Sequence, residues 1–326
     1  MNEDKIGVML VGCGGIARSH LAAVGKFPHL ARLVATVDKT KTRARRAKKE
    51  FGAERAYFNL EEALADKDVQ AVVLTLPHHL HAPVAMQALK AGKSVLVEKP
   101  MALRLKDADR MIAEAEKRKL TLMVGQSLRF SPAMQKAREL IKKGRIGQVV
   151  HMIARRLGRR KIKPSPWWND QEKSGGILGH HGSHQIDLML WLVDQEPVRV
   201  FASAHSVKRG WDLQDECSLE IVTEGGAIIS LNQSFNSPCS TNDTIIVGTK
   251  GGLRLAGGRE IFLNEETIEF EVPQFRSIDA EHLEFYLSIK EKKEPEASGR
   301  DVRKTVAVLD AAQKSIASAR AINISA

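Results

Sequence analysis

The chain has 326 residues, 43% hydrophobic and 27% charged, and a formal net charge of +11. That length exceeds the roughly 100–200 residues usual for one domain, so two domains are expected, and the composition excludes a largely disordered chain. The positive balance does not read as a nucleic-acid interface, because its densest run, "KTKTRARRAKK" (39–49), has helical spacing and no interleaved aromatic rings on which bases would stack.

The first third alternates short apolar runs with helical patterns. "KIGVMLVG", "ARLVATVD", "AVVLTLP", "SVLVEKP" and "TLMVG" read as buried strands. "IARSHLAAVGKF", "KTRARRAKKEFG", "HAPVAMQALKAG" and "LKDADRMIAEAEKRK" read as the helices between them. This alternation predicts an α/β domain over residues 1–125, a doubly wound parallel sheet covered on both faces. After about Gly144 strand-like segments follow one another: "GQVVHMIARR", "VRVFASAHSV", "ECSLEIVTEG", "GAIISLNQSF", "TIIVGTK", "GLRLAGG" and "TIEFEVP". One strong helix, "SHQIDLMLWLVD", interrupts them, and a last helix, "DVRKTVAVLDAAQKSIASAR", closes the chain and is expected to pack back on the body. Residues 126–326 should therefore form an α+β domain with a large, mostly antiparallel open sheet. The Gly-Gly pairs at 225, 251 and 257 are read as hairpin turns.

Cys13, Cys217 and Cys239 are odd in number and irregular in spacing, which fits neither a disulfide framework nor a zinc motif. "LVGC" at 10–13 resembles a lipoprotein cleavage site, but acidic residues precede it and its apolar run is short. No apolar run reaches the roughly 18–20 residues that cross a bilayer. A cytoplasmic protein with no membrane partner is expected.

Chemistry concentrates in a few stretches. In "VGCGGIARSH", Gly12, Gly14 and Ala17 stand in the G-x-G-x-x-A arrangement between a strand and a helix, with Gly15 and Ile16 inside the loop. The first glycine permits the tight turn, the second lets backbone approach a pyrophosphate, and the small Ala17 lets helix and strand pack closely. Asp38, at the end of the next strand, is placed to accept from ribose hydroxyls and to repel a 2′-phosphate, which favours NAD. Lys39, Lys41 and Arg43 follow it as cations able to hold that phosphate, so NADP stays open. Glu98, Lys99 and Pro100 lie at the carboxyl end of a strand, where open parallel sheets bind ligands.

"GILGHHGSH" (176–184) holds three histidines in nine residues. Read as zinc ligands, His180 and His184 are four apart, but Gly182 is expected to break the helix that would align them, and no zincin glutamate accompanies them, so no metal is expected. Packing histidines at an ordinary helix start, with Ser183 and Asp187, are a second reading, and proton transfer a third.

Together the G-x-G-x-x-A loop, "TLPHHLHAPVA", "EKP", "GQSLRFSP" and "SGGILGHHGSHQIDLMLWL" resemble the glucose–fructose oxidoreductase, inositol dehydrogenase and rhizopine catabolism (Gfo/Idh/MocA) family across nearly the whole chain. The resemblance implies a Rossmann domain for NAD(P), then a sheet domain that faces substrate on one side and a neighbouring subunit on the other, as a homodimer or homotetramer. The family's E-K-P falls on Glu98, Lys99 and Pro100, and its second-domain histidine on His184. Its strand-four turn falls on Leu76, Pro77, His78 and His81, with Leu for the usual Thr and His for the usual Asn. Gln126 joins the cofactor set. His180 stands where the family usually has Asp.

The implied function is an NAD(P)-dependent dehydrogenase or reductase acting on a secondary alcohol or ketone of a sugar, inositol or polyol. His184 would move the proton, Lys99 would stabilise charge on the substrate oxygen, and His180 would orient the substrate or His184. Arg129 and Trp168 are substrate-side candidates. The basic run Arg155 to Lys163, leading into "PSPWWND", reads either as a cleft border that favours an acidic sugar or as a solvated surface or subunit contact. Rival readings are an NAD-retaining glycosidase or lyase and a non-catalytic sugar sensor.

Overall fold

A computed structural model describes residues 5–159, 165–208 and 210–324. The chain divides into two compact units. The first comprises residues 1–102, 106–127 and 275–302; the second comprises 103–105, 128–274 and 303–326.

In the first unit the order is β1 (Ile6–Val11), α1 (Ala17–Val24), β2 (Ala31–Val37), α2 (Lys41–Phe51), β3 (Arg55–Tyr57), α3 (Leu60–Leu64), β4 (Ala71–Leu74), α4 (His78–Lys90), β5 (Ser94–Glu98), α5 (Leu105–Arg118) and β6 (Leu122–Gly125). The strands form a six-stranded sheet in the order β3-β2-β1-β4-β5-β6, with parallel neighbours throughout. β1 and β4 are buried along their whole length, which is why they read as continuous apolar runs rather than alternating ones. β3 was not expected; three half-buried residues at a sheet edge carry too little pattern to register.

The second unit opens with α6 (Pro132–Lys142) and β7 (Val149–Arg159), followed by α7 (Gln171–Ser174) and α8 (Ser183–Val193). Then come β8 (Pro197–His205), β9 (Glu216–Thr223), β10 (Ile228–Ser234), β11 (Asn236–Gly248), β12 (Gly251–Ala256), β13 (Glu260–Leu263) and β14 (Glu266–Thr267). After α9 (Ser277–Glu291) and α10 (Gly299–Ser318), β15 (Ile322–Asn323) completes a nine-stranded sheet ordered β14-β13-β12-β11-β7-β10-β9-β8-β15. Only the β10–β7 pair is parallel. α8 is buried at every position except His184 and packs on β7 and β10, as a helix apolar on nearly all sides must.

Several expectations change. The division at residue 125/126 does not hold for 275–302, which clusters with the first unit, and α9 lies wholly within it. "TIEFEVP" is strand only at its start, in β14. Gly251 and Gly252 lie within β12, so the turn before it is Thr249–Lys250, whereas Gly226, Gly257 and Gly258 do take the positive φ of turns. No helix among the described residues is long and apolar enough to cross a membrane.

Candidate active site

The first unit builds a dinucleotide cradle. Gly12 ends β1 at φ +97°, and a Cβ there would stand 2.6 Å from the Thr75 carbonyl oxygen, so no other residue fits the turn. Thr75 Oγ1 donates to the Gly12 carbonyl at 2.6 Å and locks the close approach. Above Gly14 and Gly15 the space is open: a Cβ on either would meet no atom within 4 Å. Ile16 is 47% exposed beside this gap, and buried Ala17 opens α1. Backbone N–H groups at a helix start with open room in front fit the pyrophosphate of a dinucleotide.

Asp38 braces the loop as well as facing it. Its Oδ2 accepts from Cys13 N–H at 2.9 Å and its Oδ1 from Thr40 N–H at 2.7 Å, which leaves lone pairs on both oxygens. Burial, with the nearby Asp38 charge, pushes the Cys13 thiol up to about 12, so this cysteine is no thiolate nucleophile. Lys39 and Arg43 are exposed at the start of α2.

At the end of β4, half-buried Leu76 and Pro77 lead into α4, whose first residue is buried His78. His81, fully buried, places Nδ1 2.7 Å from the Pro100 carbonyl and Nε2 2.8 Å from the Leu76 carbonyl, tying this turn to the E-K-P segment. Two carbonyls ask for a doubly protonated ring, but burial pushes its pKa down; desolvation dominates, so one nitrogen donates at a time. Glu98 ends β5 and Oε2 accepts from Lys99 N–H at 3.0 Å. Lys99 is half-buried beyond the strand end, and Gln126, 1% exposed, follows β6.

In the second unit, Leu178–Gly182 is a π-wound turn that runs directly into α8. Gly182 is helical, at φ −59° and ψ −41°, so it does not break the helix as expected. What the glycine provides is proximity: a Cβ there would lie 3.1 Å from Gln233 Oε1. The wider turn also removes the alignment that an i, i+4 spacing has in a regular helix. His180 is 3% exposed, stacks on Trp168 with ring centroids 3.8 Å apart, and lies 3.0 Å through Nε2 from the Trp168 carbonyl. His184, in the first turn of α8, is half-buried.

Two of the substrate-side candidates lie in the interior of this unit. Arg129 is fully buried; its Nε and a terminal nitrogen donate to the two oxygens of Asp187, each at 2.7 Å, so it serves the interior of the unit. His180 presents almost no surface, and its ring supports Trp168 rather than reaching outward. Trp168 remains half-buried, flanked also by Phe235 and Trp211.

Within the described part of the basic run, the adjacent cations Arg155 and Arg156 face opposite ways. Arg155 is exposed and pairs with Asp243, while its neighbour Arg156 points to the opposite, inner face of the sheet with Met152 and Ala154. Arg160, Lys161 and Lys163 lie outside the described residues. Sequence patterning missed Arg156 as a separate feature, although strand alternation alone separates it from Arg155. The Arg156 side chain has no hydrogen bond or ion pair among the described residues and lines a cavity of about 160 Å³ with Gln185, Asn242, Thr244 and Arg259. Among the described residues no group of three His, Cys, Asp or Glu could hold a metal ion.

Comparison with known proteins agrees with this architecture. Residues 6–126 match the oxidoreductase family with an NAD-binding Rossmann fold, and residues 134–254 match the Gfo/Idh/MocA C-terminal domain. The chain is 27% identical over 336 residues to myo-inositol 2-dehydrogenase of Thermotoga maritima, covering 98% of each. It is 29% identical over 330 residues to inositol 2-dehydrogenase of Rhizobium meliloti, covering 97% of this chain and 98% of that one. Among solved structures, the WlbA dehydrogenase of Bordetella pertussis, in complex with NADH and UDP-GlcNAcA, superposes with a TM-score of 0.88 at 26% identity over 99% of both chains. Both halves of the molecule thus carry the same affiliation, and the chain is an NAD-binding oxidoreductase of the Gfo/Idh/MocA family.

Proposed function

We propose that this enzyme oxidises a secondary alcohol of a sugar, inositol or related polyol, or reduces the corresponding ketone, with NAD as its partner. The observation that carries the reading is the open cradle over Gly14 and Gly15 in the same parallel sheet whose strand β5 leads directly into Lys99. Bound there, NAD supplies hydride exchange with a carbinol carbon. In the oxidative direction Lys99 donates a hydrogen bond to the substrate oxygen and stabilises the negative charge developing on it. His184 takes the hydroxyl proton on an imidazole nitrogen and returns it in the reverse direction. Absorbance at the nicotinamide band across polyols, aldonates, uronates and nucleotide sugars tests the reading. Absence of any cofactor-dependent turnover, with NAD bound, would favour a sensor instead.

Asp38 supports NAD over NADP. Titration is expected to give tighter binding of NAD, and Asp38→Ser to move the preference toward NADP, with Lys39 and Arg43 then facing the 2′-phosphate unopposed. A wild-type preference for NADP would show that those cations dominate.

An acidic substrate is supported by Arg156. Burial pushes its pKa down, and a half-buried guanidinium without an ion pair is stabilised by an incoming carboxylate. Arg156→Gln is expected to raise KM for a carboxylated sugar by about 10- to 100-fold, the value of a lost charged hydrogen bond, while leaving neutral polyols unaffected. Equal effects on both classes would remove the argument.

Self-association through the second sheet is supported by Val150, Phe201, Ile228 and Val247, which are exposed on its outward face at 38–44% of their surface.

A further inference from the structure

Beneath Lys99, in the first unit, lies a buried chain of polar side chains with no part in the proton transfer described above. His20 on α1 places Nε2 2.9 Å from Glu98 Oε1 and Nδ1 2.8 Å from Nε2 of His282 on α9. His282 Nδ1 is 2.9 Å from the hydroxyl of Tyr286, one turn further along α9. His20, His282 and Tyr286 are each 0% exposed. α9 packs along α1, so the chain spans from that helix pair to the end of β5.

The Tyr286 end determines the rest. A fully buried hydroxyl must donate its proton somewhere, and His282 Nδ1 is its partner among the described residues. That nitrogen is therefore an acceptor, and the proton of His282 sits on Nε2. Nε2–H donates to His20 Nδ1, which must likewise be bare, and His20 then donates through Nε2–H to Glu98 Oε1. Every donor points toward the carboxylate, and Glu98 Oε2 accepts from Lys99 N–H. A proton on His20 Nδ1 would reverse both histidine links and leave the Tyr286 proton without an acceptor.

We infer that Tyr286, His282 and His20 are positioning residues that hold Glu98 in a fixed, hydrogen-bonded orientation while keeping His20 neutral, so that the carboxylate charge beside Lys99 is not cancelled from below. This rests on the reading of Lys99 as the residue that polarises the substrate. The surrounding charges agree with a neutral core. Burial pushes His282 well below the usual imidazole range, with His20 and Arg276 contributing. Arg276 is itself paired with Asp279. Glu281, adjacent on α9 and 1% exposed, is pushed well above the carboxylate range by burial and by Glu98, which favours its uncharged form.

Two measurements test the chain separately from the reaction. In ¹⁵N-histidine NMR of the wild type at neutral pH, His20 and His282 are expected as Nε2–H tautomers with unprotonated Nδ1. An imidazolium at His20, or an Nδ1–H tautomer at His282, overturns the inference whatever the enzyme's substrate. In kinetics, Tyr286→Phe removes the hydroxyl proton that sets the direction of the chain. It is expected to move the acid limb of the kcat–pH profile up by about 0.5–1 unit and lower kcat about 3- to 10-fold at neutral pH, with KM and NAD affinity unchanged. His20→Gln keeps an N–H toward Glu98 while cutting the link to His282, so in that background Tyr286→Phe is expected to have no further effect. Additive effects, or an unmoved acid limb, refute the coupling. Glu281→Gln, a neutral isostere, is expected to leave the profile unchanged. If the tautomers are as stated but no alcohol is oxidised, the proposed function fails and the chain stands; if Tyr286→Phe does not fold, the tautomers decide alone.

Discussion

His184→Ala is expected to lower kcat by about 10² to 10⁴ while leaving NAD affinity nearly intact, because the role proposed for His184 is proton transfer and not cofactor binding. His184 is the one residue of α8 that is not buried, so its truncation opens no cavity in the core, and unfolding midpoints should stay close to wild type. Steady-state kinetics, NAD titration and thermal unfolding on one preparation separate the effects. Partial recovery by added imidazole would locate the loss at proton transfer. Full turnover by the variant would remove His184 from the mechanism and return the histidine cluster to a packing role.

The second large effect is on stability. Arg129 and Asp187 form a bidentate pair at 0% and 1% side-chain exposure, and Thr305 Oγ1 donates to the same carboxylate at 3.1 Å. Arg129→Met leaves Asp187 as a buried charge without its counterion and is expected to cost about 3–5 kcal/mol of unfolding free energy. Replacing both residues, Arg129→Met with Asp187→Leu, is expected to recover most of that loss, since it is the orphaned charge that is expensive. Denaturant unfolding of the two single variants and the double variant measures it. A single-variant cost below about 1 kcal/mol would mean that water or another group compensates Asp187.

The histidine neighbours of α8 illustrate why such assignments resist sequence reading. Three histidines in nine residues announce a special segment, but the spacing cannot say which ring is outward. The π turn over Leu178–Gly182 inserts extra rotation just before α8, which separates His180, stacked on Trp168, from half-buried His184. Arg129 is a similar case. In "LRFSP" it looks like a free cation near a site, and only the fold brings Asp187, 58 residues later, against it.

Legible from the residues alone were the alternating strands and helices of the first unit, the Gly12–Ala17 loop with Asp38 behind it, and Lys99 just past a strand end. These are set by local periodicity and by turn chemistry within a few residues, so they survive without knowledge of the rest. Most strands of the second sheet were legible too, although β3 and β13 were too short to register and the Gly251 turn was misplaced by one pair of residues. Only the tertiary structure decided what depends on partners distant in the chain. It returned 275–302 to the first unit, set α9 against α1, and completed the line from Tyr286 through His282 and His20 to Glu98, whose His20–His282 link joins residues 262 positions apart. Burial did this: each of those polar groups is unremarkable in water, and becomes constrained to one tautomer and one partner when the surrounding apolar residues exclude every alternative.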